Sequence, residues 1–132
     1  MALALRMDPV TGLSLGRIVI GVGALAAPTA TARVFGLDPV ANPQLDYMGR
    51  MFGAREIALG AVTLVSRGAL RRNLTAVGVA VDGADLANGL IELGRRKVPK
   101  LASGMLVGAA AGAVGSGVLA LARGRASGKS AA

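Results

Sequence analysis

The amino-acid sequence predicts an all-α protein, a four-transmembrane-helix bundle with a short interfacial helix or turn between helices 1 and 2. Three observations lead there. Of 132 residues, 53% are apolar and only 17% charged, a balance suited to a chain solvated by lipid. The apolar residues fall into four long runs separated by Pro, Gly and clusters of basic residues. Gly contributes 20 residues against one Tyr, two Phe and no Trp. Helices of such a chain must approach through small side chains, as they do where lipid already accommodates apolar groups and contact between backbones holds the bundle together.

Each element has a local signal. Asp8-Pro9 reads as an N-cap followed by proline at the first helical position, opening helix 1 over 10–27, which only Arg17 interrupts before Pro28 stops it. Residues 29–37 read as an amphipathic turn or short interfacial helix. Asp38-Pro39 and Asn42-Pro43 are further start signals, and the second opens helix 2 over 44–66. Gly68 ends helix 2, and Arg67, Arg71 and Arg72 form a basic connector. Helix 3 follows over 70–93 and stops at Gly94. Helix 4 begins at Pro99 and ends before Gly124. Its stretch 101–122 holds no charge and is long enough to cross a hydrocarbon core of roughly 30 Å. Residues 1–123 are therefore expected to form a single four-helix transmembrane domain, with 124–132 as a flexible basic C-terminal tail. A soluble helical domain is the alternative, but it would need a charged face on every helix, and helix 4 has none.

The net charge of +8 comes from basic residues grouped at the ends of apolar runs. That pattern points to membrane lipids with anionic headgroups as partners and away from nucleic acid. With four crossings, Arg6, Arg17, the connector and Arg123, Arg125 and Lys129 share one side. Arg33, Arg95, Arg96, Lys97 and Lys100 share the other. The first group is larger, so the positive-inside rule puts both termini in the cytoplasm. Arg6, the apolar run after it and Ala30-Thr31-Ala32 also imitate a cleavable secretory signal, a pattern that Asp8 and Arg17 break.

Cysteine and histidine are absent, which excludes disulfides, thiol chemistry, zinc fingers and haem-attachment motifs; no cofactor or metal is expected. No nucleophile–base pair emerges either, so an enzyme is disfavoured. Gly21-Val22-Gly23 with Asp38 downstream imitates a dinucleotide fingerprint, but Pro28 leaves no room for its helix. Gly128-Lys129-Ser130 ends like a phosphate-binding loop with the wrong spacing from Gly124. Asn73-Leu74-Thr75 fits a glycosylation pattern at the membrane edge of helix 3, where no surface loop is expected.

The residues that could carry chemistry are charges inside the spans. In helix 2, Asp46, Gly49, Gly53, Glu56, Gly60, Thr63 and Arg67 recur every three or four positions and form one stripe. Thr75, Gly78, Asp82, Asp85, Gly89 and Glu92 do so in helix 3. The two stripes are expected to face each other, bringing Glu56, Asp82 and Asp85 to similar depth. Like charges in a dry site need neutralising partners. Arg50 flanks the helix 2 stripe and Arg17 can approach from helix 1; Asn88 is a possible additional member. This predicts an intramembrane cluster of Arg50, Arg55, Glu56, Asp82 and Asp85, read either as a structural ion network or as a proton- or cation-linked site. Arg55 is expected to point about 100° away from Glu56, toward Met48, Met51, Leu59 and Val62, where another helix or another protein must cover it. Gly49, Gly53 and Gly60 are packing positions on helix 2. Gly104, Gly108, Gly112 and Ser116 form a ridge on helix 4, expected to pack against Gly12 and Gly16 of helix 1, with homodimerisation as the alternative.

The segment 49–60, with Gly53-Ala54-Arg55-Glu56-Ile57-Ala58-Leu59-Gly60 at its centre and Asp82 and Asp85 one helix later, resembles a family of small four-helix bacterial membrane proteins of unknown function. The run 28–37, with Pro28, Arg33 and Phe35-Gly36-Leu37, is similar to the same family. The likeness covers about 12–94. More distantly, the layout looks like DoxX-type membrane proteins, some of them associated with quinone or thiol redox systems. The resemblance implies a four-span fold and a shared importance for Arg55, Glu56 and the helix 3 aspartates; it implies no reaction. The expected location is the bacterial inner membrane, crossed several times. The functional expectation is an accessory or interaction subunit of a larger membrane assembly, with a membrane-protein partner or homo-oligomer. The alternatives are a proton- or cation-linked carrier and a redox-associated protein of DoxX-like type.

Overall fold

The computed structural model describes residues 7–130, with side chains described through Arg125. Arg6 and the last two alanines lie outside the described residues. Five helices follow in order: α1 Pro9–Ala26, α2 Pro28–Val34, α3 Leu45–Val65, α4 Gly68–Arg95 and α5 Lys100–Ser130. Asp8 caps α1, its side chain accepting from the backbone N–H groups of Val10 and Thr11 while Pro9 takes the first helical position. Ala27 leaves the helical conformation and Pro28 restarts the chain as α2, the short helix expected between the first two spans. Ala30-Thr31-Ala32, the signal-like site, lies inside α2.

Two boundaries differ from expectation. Gly94 does not stop α4, which continues to Arg95 and ends on Arg96 in the left-handed conformation, φ 57°. The Arg96 N–H still reaches the Glu92 carbonyl, so a non-glycine cap is tolerated there. Helix α5 does not stop before Gly124 but runs to Ser130, placing the first part of the expected tail in helix.

Contacts between small residues set the directions of the helices. Gly49 lies against Pro28, Gly53 against Gly21 and Gly60 against Ser14, so α3 runs antiparallel to α1 along most of its length. Gly89 lies against Val107 and Gly117 against Val79, which makes α5 antiparallel to α4. Arg71 of α4 bonds to Asp8 and Thr11, and Gly78 abuts Arg17, so α4 runs parallel to α1. The result is an up-down-up-down arrangement built from two close pairs, α1/α3 and α4/α5. Helix α5 packs chiefly on α4 and only lightly on α1, correcting the expectation that the fourth span closes on the first.

The interior is inverted relative to a water-soluble domain. Among the described residues, the buried apolar ones are three alanines, Ala24, Ala32 and Ala102, whereas Arg17, Glu56, Asp82, Ser14, Thr63 and Thr75 are also buried. Large apolar side chains face outward, with Val19 at 72%, Val65 at 77% and Leu101 at 71% exposure. Water would penalise this surface and lipid does not. Three helices, Pro9–Ala26, Gly68–Arg95 and Lys100–Arg125, are long and apolar enough to cross a membrane. Helix α3 is 21 residues long, but Asp46, Arg50, Arg55 and Glu56 keep it out of that group.

Candidate functional site

The buried residues of α1 are Ser14, Arg17, Gly21 and Ala24, at spacings of three, four and three. Those of α3 are Gly53, Glu56, Gly60 and Thr63, at the same spacings. A three-four-three pattern reads the same in both directions, so two antiparallel helices carrying it can mesh stripe to stripe. They mesh at backbone distance. A Cβ added at Gly53 would lie 2.6 Å from the Gly21 carbonyl oxygen, one at Gly21 would lie 2.7 Å from that of Gly53, and one at Gly60 would lie 2.7 Å from that of Ser14. Any side chain at these positions would part the helices.

Arg17 leaves α1 at its midpoint, between these contacts, and its guanidinium reaches α3 and α4 together. Nη1 donates to Glu56 Oε2 at 2.9 Å and to Asp82 Oδ1 at 3.0 Å, while Nη2 donates to Asp82 Oδ2. Gly78 supplies the room on α4, since a Cβ there would sit 3.0 Å from Nη2. The line continues on α3, where Arg55 Nε lies 3.4 Å from Glu56 Oε1 and Arg55 Nη2 donates to Asp85 Oδ2 at 2.6 Å. Asp82, Arg17, Glu56, Arg55 and Asp85 thus alternate in sign and form one chain that begins and ends on α4. Asp82, Glu56 and Arg17 are about 6–7% exposed at the side chain, Arg55 40% and Asp85 34%, so the network grades from a dry core to an accessible rim.

Several sequence expectations change accordingly. The stripes of α3 and α4 meet directly through Arg55 and Asp85, but at the centre Arg17 of α1 enters between Glu56 and Asp82. Arg55 does not point away from Glu56. Its flexible stem turns the guanidinium toward Glu56 and Asp85, 5.1 Å from the centroid of the Phe52 ring, with about 40% of the side chain still exposed. Arg50 and Asn88 are exposed and make no side-chain bond among the described residues. Gly49, Gly53 and Gly60 face α1 or the turn after it. Gly104, Gly108 and Gly112 face nothing within 4 Å, and Gly12 and Gly16 make no close interhelical contact; Gly89 and Gly117 carry the α4/α5 contact in their place. Arg17 also leaves the group of basic residues at the headgroup level, because it is committed to the interior.

Arg17, expected only as a possible additional member approaching from helix 1, is the centre of the network. It had a signal: a lone charge within an apolar span, flanked by Ser14, Gly21 and Ala24 at the period already evident on the next two helices. Beside it lies a cavity of about 10 Å³ lined by Ser14, Leu59, Thr63, Thr75 and Gly78, space for a single water and too small for a solute. Among the described residues, no cluster of acidic side chains is placed to hold a metal ion.

Residues 14–129 match the family model described as a domain of unknown function, DUF4267. The chain belongs to the DUF4267 family. All five residues of the alternating network lie within the matched DUF4267 segment. Neither the curated proteins nor the solved structures contain a match to it. The likeness to DoxX-type proteins finds no support in these comparisons.

Proposed function

We propose that this DUF4267 protein is a four-span membrane protein that acts as an accessory or interaction subunit, docking another membrane helix on the outer face of α5. The span count is supported by α3 running beside α1 from Pro28 to Ser14, with its charges neutralised inside the bundle by Arg17 and Asp85. The richer group of basic residues at the end bearing both termini supports a cytoplasmic location for that end in a bacterial inner membrane.

The observation that carries the docking role is the open ridge of Gly104, Gly108 and Gly112. Small residues at every fourth position let a second backbone approach closely. Among the described residues, no neighbouring helix lies against them. The test is Gly108→Leu. Its added side chain meets open space within the protein, so the monomer should fold and accumulate normally, whereas co-purification from native membranes in mild detergent, with a partner or a second copy, should be lost. A partner retained at native stoichiometry by Gly108→Leu would refute docking on this ridge.

A second reading is favoured by the charge count of the network. With all groups ionised, its three carboxylates face two arginines. A proton or a small cation would balance the remaining charge, which is what a proton-linked carrier needs at mid-membrane depth. Proton or cation flux in liposomes, lost in a folded Asp82→Asn variant, would support it over a purely structural network. A DoxX-like redox-associated role would have to operate without thiols, since the chain contains no cysteine.

A further inference from the structure

At the end of the bundle where α1 and α4 begin and the apolar part of α5 finishes, a groove of about 410 Å³ opens between these three helices. Its walls are apolar, formed by Val10, Ala69, Ala120 and Leu121, and Arg71 and Arg72 stand among them. Among the described residues, no carboxylate lines it. Asp8, the nearest, is already held by Arg71 and by the first turn of α1. Arg72 has no carboxylate partner among the described residues, and Arg67, Arg123 and Arg125 belong to the same end of the bundle.

Helix α4 adds to this positive character. It starts at Gly68 with no side-chain cap on its first turn, and Gly68 and Ala69 line the groove. Uncapped N–H groups of a helix start need an acceptor, and at a membrane boundary water or a headgroup must supply it. The volume falls within the range of small-ligand sites. Apolar walls joined to the lipid-facing surface, with arginines at the rim, suit a molecule having an anionic head and a hydrocarbon chain.

We propose that this groove is a binding site for a single acidic phospholipid, with its phosphate at Arg72 and the start of α4 and an acyl chain along Ala120 and Leu121. Basic pockets between helices at a membrane surface take such headgroups. The site is independent of the docking ridge on α5 and of the buried ion network.

The experiment is native mass spectrometry of the detergent-solubilised full chain with phosphatidylglycerol or phosphatidylcholine of identical acyl chains. The native protein should retain a single phosphatidylglycerol in preference to phosphatidylcholine. Arg72→Gln, at an exposed side chain, should weaken that preference roughly fivefold, the effect of one basic residue near a charged surface. Ala120→Leu, which fills the wall without altering charge, should reduce retention of both lipids. Lys97→Gln at the opposite end should change neither. Equal retention of the two lipids by the native chain, an undiminished preference in Arg72→Gln, or an equal loss in Lys97→Gln would each overturn the proposal. Competition by soluble glycerol phosphate as effective as by the intact lipid would also overturn it, identifying a free-anion site in its place.

Discussion

Helix α1 is held on two sides by opposite means. Toward α3 it presents Gly21 and the backbone of Ser14, and the partner presents Gly53 and Gly60, so the helices touch main chain to main chain. Toward α4 the axes stand farther apart and long side chains span the gap, with Arg17 bonded to Asp82 and Arg71 to Asp8. A lipid environment explains both solutions. Apolar side chains gain little by leaving lipid for one another, so a close seam must use the dispersion contacts of glycine, and a wide seam must use charges whose partners lipid cannot supply. The glycine seam fixes distance, whereas the ionic seam fixes register.

The comparison is broken most severely at Arg17. Arg17→Met would leave Glu56 and Asp82 buried without their cation, at a cost of about 3–5 kcal/mol, and should abolish accumulation of folded protein on a gel-filtration assay in detergent. Neutralising the cluster together, with Arg17→Met, Glu56→Gln and Asp82→Asn, should restore much of the yield. If the triple variant stays as poor as the single one, the penalty does not come from stranded charge. The glycine seam should be less sensitive. Gly53→Ala places a methyl group within 2.6 Å of a carbonyl oxygen and forces α1 and α3 apart. About 1–3 kcal/mol of overpacking should appear as a lowered thermal midpoint. Gly108→Leu on the open ridge should leave that midpoint unchanged, which separates glycines that pack internally from those that do not.

The smallest effect belongs to the outer end of the ionic seam. Burial raises the Asp8 carboxyl, but hydrogen bonds from the Thr11 hydroxyl and the first-turn backbone, together with the Arg71 charge, outweigh it and hold it below its ordinary value of 3.8. The carboxylate therefore stabilises the start of α1 above that value, and its contribution is lost as pH falls through the lowered one. Asp8→Ala should cost about 1 kcal/mol as a lost cap at neutral pH. The difference from the native protein should shrink in strongly acidic solution, as followed by thermal midpoint against pH. A difference that does not change with pH would remove the charge from this account.

The sequence was informative about everything that depends on spacing along one helix. Asp8-Pro9 and Asn42-Pro43 marked starts and Pro28 marked a stop, because proline and side-chain caps act locally. The stripes containing Gly53, Glu56, Gly60 and Gly78, Asp82, Asp85 were visible because helical periodicity is a property of the chain alone. The boundaries at Gly94 and Gly124 were misplaced for the same reason in reverse: glycine permits a stop, but neighbouring turns decide whether one occurs.

By itself, then, the chain determined the all-α character, the order of the helices and the set of charges held within them. Only the tertiary structure decided which helix those charges meet. Arg17 became the centre because its side chain reaches across the interior to both α3 and α4, a convergence that no pattern along one strand of sequence encodes, and because Gly78 leaves space for its guanidinium. Packing likewise divided the glycines, assigning Gly53 and Gly60 to an internal seam and leaving Gly104, Gly108 and Gly112 outside. Identical residues at similar spacings acquire different roles once neighbours are fixed, since periodicity defines a face and only packing defines what that face touches.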